Sequence, residues 1–304
     1  MNKTGKIIDV IGVPNDFGAN VRGASMGPAA LRAAGLHEKL RSTGRKTREC
    51  GDIAVPYQHQ ITQEQAANHY LALLLSIGKE LKQSCLASFV ADHIPLVLGG
   101  DHSLAIGSLA ATCEFYKDHQ IGLLWIDAHA DINTPASTLT GNIHGMPMSI
   151  LLGNGYTELT QLSNNQKTIR PENIVYVGLR DLDAGEKAIL KNSGITYFTM
   201  RDMDERGIRH IMQEICDYHF KDIEGLHVSF DLDAMNPQEV PGVSTPCPGG
   251  LSLREAHLIM ELVYETQAIV AVDFVELNPL HDVRGQSAII SSDLICSLFG
   301  KVII

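Results

Sequence analysis

Short runs of apolar and β-branched residues recur along the chain, each followed by a stretch whose apolar positions fall at helical spacing. The runs predict strands at 7–13, 95–98, 121–126, 174–178, 196–200, 226–230 and 268–275. The stretches between them predict helices at 28–40, 61–91, 104–116, 185–192, 205–220, 253–266 and 287–299, the first with Pro28 at an early position and Gly35 inside it. Segment 128–147 follows neither period and reads as a turn-rich loop. Strand and helix in regular alternation imply a three-layer α/β/α fold, a mostly parallel central sheet with helices on both faces. Neither a solenoid-period repeat nor a low-complexity linker interrupts it, so residues 1–304 are expected to form one domain.

Composition adds mostly exclusions. With 44% apolar and 19% charged residues the chain is ordinary globular protein rather than disordered. Every apolar run falls short of the roughly 18–20 residues needed to span a bilayer. The 7–13 run is broken by Asp9, so it reads as a strand and not as a secretory leader. Six cysteines (Cys50, Cys85, Cys113, Cys216, Cys247, Cys296) lack CxxC spacing, which points to reduced thiols in the cytoplasm and away from a structural zinc site. The net charge of −11 disfavours a nucleic-acid partner, and the one basic stretch, 39–48, reads as a solvated face.

Chemistry collects where strands end. Leu96-Val97-Leu98 runs into Gly99-Gly100-Asp101-His102-Ser103, and Leu123-Leu124-Trp125-Ile126 into Asp127-Ala128-His129-Ala130-Asp131. Val228-Ser229-Phe230 runs into Asp231-Leu232-Asp233, and the run ending at Val275 into Glu276. In an open parallel sheet the carboxyl ends of the strands share one edge, where ligands bind. The period-two spacing of Asp127, His129 and Asp131, and of Asp231 and Asp233, is expected to aim each set to one side of an extended segment. With His102, four aspartates and two imidazoles then face one place. Carboxylates so close repel and hold protons unless cations neutralise them, and two divalent ions balance four aspartates where one does not. An oxygen-rich set without thiols suits Mn²⁺, and a pair of such ions can share a water and lower its pKa towards neutrality. A single Asp-x-Asp could be only a turn or a cap; several clusters on one strand edge argue for a shared site. Of the remaining histidines all but His144 read as surface or satisfied core.

Gly-Gly-Asp-His-Ser at 99–103, Asp-Ala-His-Ala-Asp-Ile-Asn at 127–133 and Ser-Phe-Asp-Leu-Asp at 229–233 resemble the three metal-binding signatures of the ureohydrolases, bacterial-type arginases in particular. The resemblance runs nearly end to end, through Gly12-Val13-Pro14, Gly178-Leu179-Arg180-Asp181 and Val275-Glu276-Leu277-Asn278-Pro279 to Ser297-Leu298-Phe299-Gly300. It implies hydrolysis of L-arginine to L-ornithine and urea, with hydroxide between two Mn²⁺ ions attacking the guanidinium carbon; Co²⁺ and Fe²⁺ are the alternative metals. One ion would be held by His102, Asp127, Asp131 and Asp231, the other by Asp127, His129, Asp231 and Asp233. Glu276 matches the acid that anchors the guanidinium, His144 the proton-shuttling histidine, and Asp131 joins the catalytic set as well as the ligands. Asn133, Thr138 and Thr140 match contacts to the α-carboxylate. Asp183, with Glu186 nearby, matches the acid facing the α-ammonium, although Asp183 could equally cap the following helix; Thr245 belongs to the guanidinium end. A homotrimer or homohexamer is implied. The chain departs from the family at Thr140 (more usually Ser), Asn236 (usually Asp) and Ser244 (commonly Gly), and none of these removes a ligand. The alternatives are a ureohydrolase acting on agmatine, guanidinobutyrate or formiminoglutamate, a catalytically weak regulatory relative, or a single-metal zinc amide hydrolase.

Overall fold

Branched and apolar runs pair into one sheet because each is apolar on both sides. The computed structural model describes residues 5–163 and 169–301. Its strands are β1 (Ile8–Val13), β2 (Thr47–Asp52), β3 (Ile94–Gly99), β4 (Ile121–Ile126), β5 (Ile174–Leu179), β6 (Thr196–Thr199), β7 (Gly225–Asp231) and β8 (Ile269–Val275). All neighbouring strands are parallel, in the order β2-β1-β3-β8-β7-β4-β5-β6. β1, β3, β4, β5, β7 and β8 are buried along their whole length, which is why sequences such as IGLLWI and IVAVDFV show no polar alternation. Along β4, Leu124 and Ile126 join one core layer while Leu123 and Trp125 join the opposite one, so helices cover both faces.

The first layer holds α1 (Gly27–Ala33) and α2 (Leu36–Ser42), which pack with the last two helices, α11 (Leu253–Glu265) and α12 (Gln286–Leu298). The second holds α4 (Leu71–Val90), α5 (Ala105–Phe115) and α6 (Pro147–Leu151), preceded by the short α3 (Gln63–Ala67). α4 and α5 cross at two glycines, where a Cβ added to Gly107 would lie 2.8 Å from the Gly78 carbonyl oxygen. Beside the crossing the buried Lys82 pairs with Glu114 at 2.6 Å and donates to the Leu162 carbonyl at 2.6 Å. The remaining helices are α7 (Thr157–Thr160), α8 (Ala184–Ser193), α9 (Met200–Arg206) and α10 (Ile208–Glu214), the last running into a π-helical turn at Ile215–His219. Among the described residues no helix is long and apolar enough to cross a membrane.

The three-layer parallel architecture is as expected, and the structure corrects its details. An eighth strand, β2, occupies the end of the basic stretch. Arg41 and Lys46 are exposed as read, but Arg45 is buried and Arg48 forms an ion pair with the fully buried Asp9 of β1. The expected helix 28–40 breaks at Gly35, whose φ of 80° is left-handed. The expected helix 61–91 breaks at His69 and Tyr70, also left-handed (φ 49° and 56°). Gly207 splits the helix expected at 205–220.

Candidate metal centre

The four strands that end in acid or histidine are neighbours, in the order β3, β8, β7, β4, so their carboxyl ends form one continuous edge. His102 follows β3 in a 3₁₀ turn capped by Asp101, and Asp231 closes β7 and caps the 3₁₀ turn that carries Asp233. The Asp127 N–H still bonds the Val177 carbonyl of β5 at 3.0 Å, after which the chain bends. Period-two spacing therefore converges for a reason other than strand alternation. Asp131 is left-handed (φ 49°) and Asp233 sits in a tight turn, so it is the bends that swing the donors inwards. A left-handed non-glycine residue costs on the order of 1–3 kcal/mol and persists where the surroundings hold it. Glu276 shares this backbone strain (φ 64°).

All six expected donors meet. His102 Nδ1 lies 3.0 Å from Asp231 Oδ2, 3.2 Å from Asp131 Oδ2 and 3.3 Å from Asp127 Oδ2. His129 Nδ1 lies 3.2 Å from Asp233 Oδ2 and 3.5 Å from Asp127 Oδ1. Two donor groups result, His102–Asp127–Asp131 and Asp127–His129–Asp233, with atoms inside each within 4.8 Å of one another and Asp127 common to both. Three carboxylates around one ring nitrogen exceed what a single N–H can satisfy. His102 Nε2 lies 2.8 Å from Ser229 Oγ, so with its proton on Nε2 the neutral ring offers the Nδ1 lone pair to a cation held among the carboxylates. The set thus fits divalent cations.

Charge crowding shifts the ionisation of these groups. Burial, then the charges of Asp233 and Asp127, push Asp231 well above the usual carboxylate range. Asp131 rises to about 6 through burial and the neighbouring Asp127. Burial would raise Asp127 too, but the two imidazoles hold it well below its ordinary value. Burial alone would lower His102 and His129, and the carboxylates around them overcome it and raise both.

Glu276 directly follows β8 on this edge and is almost fully buried. Its Oε1 accepts from the His102 N–H at 2.9 Å and from His144 Nδ1 at 3.1 Å, while Oε2 is buried with no partner among the described residues. A cationic donor is what such an oxygen lacks. Burial would lower the pKa of His144, but Glu276 and the more distant Asp131 and Asp101 raise it to about 9. A cavity of about 140 Å³ is lined by His129, Asp131, Asn133, His144, Gly145, Glu186, Asp231, Asp233 and Thr245. That is well below the roughly 300 Å³ at which drug-sized pockets begin, and suits a small polar ligand.

The remaining candidates arrange themselves round the mouth. Asn133 Nδ2 donates to Asp183 Oδ2 at 2.8 Å, which ties the polar loop to the start of α8. Asp183 does cap that helix, accepting from the Glu186 N–H at 2.9 Å. Burial and the charge of Asp131 raise Glu186 to about 7. Thr138 and Thr140 accept from backbone N–H groups of Gly141 (3.0 Å) and Asn142 (3.2 Å), so both hydroxyl protons are left to donate outwards. Thr138, Thr140, Asp183 and Glu276 are not among the residues that line the cavity. Thr245 Oγ1 donates to Asp233 Oδ2 at 2.7 Å.

Two supporting residues were missed from sequence. Trp125 donates to Asp127 Oδ2 at 2.9 Å and stacks on His102 at 4.0 Å, and Ser229 holds His102 from behind. Each stands two residues before a ligand candidate on its own strand, so strand parity was the available signal.

The sequence model of the arginase family matches residues 6–300. An arginase of Staphylococcus aureus is 40% identical over the whole of both chains. The crystal structure of the arginase from Bacillus caldovelox superposes with a TM-score of 0.94 at 39% identity, covering 98% of this chain and all of that one. A formimidoylglutamase from Bacillus subtilis, 21% identical, covers 97% of this chain and 86% of its own with a TM-score of 0.76, and shares the fold alone.

Proposed function

The chain belongs to the arginase family, and from that premise we propose that it hydrolyses L-arginine to L-ornithine and urea over two Mn²⁺ ions. The observation that carries this reading is the pair of donor groups sharing Asp127, one of whose members, His102, donates its N–H to the buried Glu276 at 2.9 Å. His102, Asp127, Asp131 and Asp231 would hold one ion, and Asp127, His129, Asp231 and Asp233 the other. The oxygen-rich set favours Mn²⁺, with Co²⁺ or Fe²⁺ next. When bound, such a pair acidifies water and makes a nucleophile available near neutral pH.

The chain's own residues do the rest. Glu276 Oε2 receives the substrate guanidinium through a charge-assisted hydrogen bond, which places its carbon over the aspartate cluster. Asp131 lines the cavity and accepts a hydrogen bond from the attacking water, orienting it. His144, protonated at neutral pH because Glu276 raises it to about 9 against burial, hands its proton to the departing amine. Asn133, Thr138 and Thr140 offer donors to the α-carboxylate, and Asp183 with Glu186 offers acceptors to the α-ammonium. Thr245 steadies Asp233. A site built to bond a carboxylate rejects a substrate that lacks one, which disfavours agmatine. We also read residues 1–304 as one domain that works as a cytoplasmic trimer or hexamer; the free cysteines accord with a reducing compartment.

The test is urea release from arginine, agmatine, guanidinobutyrate and formiminoglutamate, each with Mn²⁺, Co²⁺ and Fe²⁺. Arginine with Mn²⁺ should give the highest kcat/KM. Turnover of agmatine without turnover of arginine would overturn the substrate assignment.

A further inference from the structure

Arg180 belongs to the Gly178-Leu179-Arg180-Asp181 motif but has no part in the chemistry above. It is the first residue after β5, and every acceptor its guanidinium bonds is a main-chain carbonyl. Nη2 donates to Asp233 O (2.7 Å), Cys247 O (2.7 Å) and Met235 O (3.3 Å). Nη1 donates to Ala234 O (3.1 Å) and Gly178 O (3.3 Å), and Nε to Pro248 O (3.2 Å). The packing is tight: a Cβ on Gly250 would stand 2.6 Å from Nη2. The backbone of the same residue faces the other way. The N–H groups of Arg180 and Asp181 both donate to Ala128 O, at 3.0 and 3.1 Å, and Ala128 separates Asp127 from His129.

We infer that Arg180 is the positioning residue of the second cation site, fixing its two unshared ligands against each other. Its backbone anchors the bend that presents His129, and its side chain anchors the turn that presents Asp233 together with the 245–248 loop, where Thr245 bonds Asp233. Among the described residues no single side chain ties the first site's ligands in this way, since His102 sits in the 3₁₀ turn after β3 and Asp131 in the loop after β4. A planar fork of five donors can span three separate turns, and a lysine ammonium with three donors cannot. Arg180 therefore governs how well one ion of the pair is held, and leaves its neighbour largely alone.

The inference rests on the two-cation reading, and one experiment separates them. Metal-stripped wild type, Arg180→Lys and Arg180→Met are titrated with Mn²⁺ by calorimetry, alongside far-UV circular dichroism. Wild type should take up two ions. Arg180→Met should keep its secondary structure and one binding step unchanged while the other loses about 10- to 100-fold in affinity, the usual cost of removing a ligand's support; Arg180→Lys should fall between. If wild type takes up only one ion, the two-cation reading fails and this inference with it. If wild type takes up two and both steps are unchanged in the variants, or both weaken equally, Arg180 is ordinary loop support and the inference alone is overturned. Should Arg180→Met not fold, Arg180→Lys decides by the same criterion.

Discussion

His144 carries the sharpest single-residue consequence. Its ring is held 3.1 Å from Glu276, and that contact overcomes the effect of burial to raise it to about 9. A proton donor with that pKa stays loaded through neutral pH and empties above it, so the rate should turn down as pH climbs past about 9. His144→Asn keeps polarity and roughly the same volume without an exchangeable ring proton. We expect kcat to fall by about 10²–10⁴-fold, the usual worth of a general acid. Metal content should be unchanged and the alkaline limb of the pH–rate profile should flatten. A variant whose profile still turns down at the same pH would assign that limb to another group. The same scale explains why ligands were legible in sequence and their supports were not. Asp127, Asp231 and His102 stand in motifs of charge and imidazole, whereas Ser229 and Trp125 look like ordinary strand residues until partners are placed.

At the scale of elements, packing decides what periodicity leaves open. α4 and α5 approach through Gly78 and Gly107, backbone against backbone. Gly107→Ala gains about 1 kcal/mol of helix propensity. It also drives a methyl to 2.8 Å from a carbonyl oxygen that no rotamer change can move, and overpacking of that kind costs about 1–3 kcal/mol. The clash should win, with a lower midpoint in urea and an unchanged slope; a variant as stable as wild type would mean that the helices separate freely. The six buried strands announced themselves as predominantly apolar, β-branched runs. β2 did not, because Thr47-Arg48-Glu49-Cys50-Gly51-Asp52 is an exposed edge whose polarity reads as loop. The long helix expected across 61–91 failed similarly. His69 and Tyr70 leave the right-handed region although neither is a glycine or proline, so composition held no warning. Alternation of Asp127, His129 and Asp131 led to the right cluster through geometry that a bend, not a strand, provides.

For the molecule as a whole, the aspartate cluster makes stability depend on pH and cation together. Asp101, buried beside Glu276, rises to about 6, as does Asp131, while Glu186 rises to about 7. Folded groups of this kind hold protons more tightly than their unfolded counterparts near pH 4, so their contribution is lost as pH rises from about 4 through those values. His102 and His129 act in the same direction. Both are raised against burial by their carboxylate neighbours, so their contribution is complete below about pH 6.5 and is lost on the alkaline side. Asp127, held low, matters only in strong acid, where its contribution disappears as pH falls through its folded value. Chelated protein should therefore melt at progressively lower temperature between about pH 5 and pH 7.5. Saturating Mn²⁺ should reverse that trend, since the ligands must shed protons to bind it. Thermal melts with and without chelator at three pH values are sufficient, and a pH-independent Tm in chelator would contradict the crowded-carboxylate account. β8 is the last strand in chain order and lies between β3 and β7, near the middle of the sheet. Until a ribosome has delivered it, the nascent polypeptide has unsatisfied backbone edges where β8 will insert, and Glu276, proposed to receive the guanidinium, does not yet exist. Urea-releasing capacity therefore arrives all at once near the end of translation, and any product truncated before that strand is catalytically dead and a natural client for chaperones.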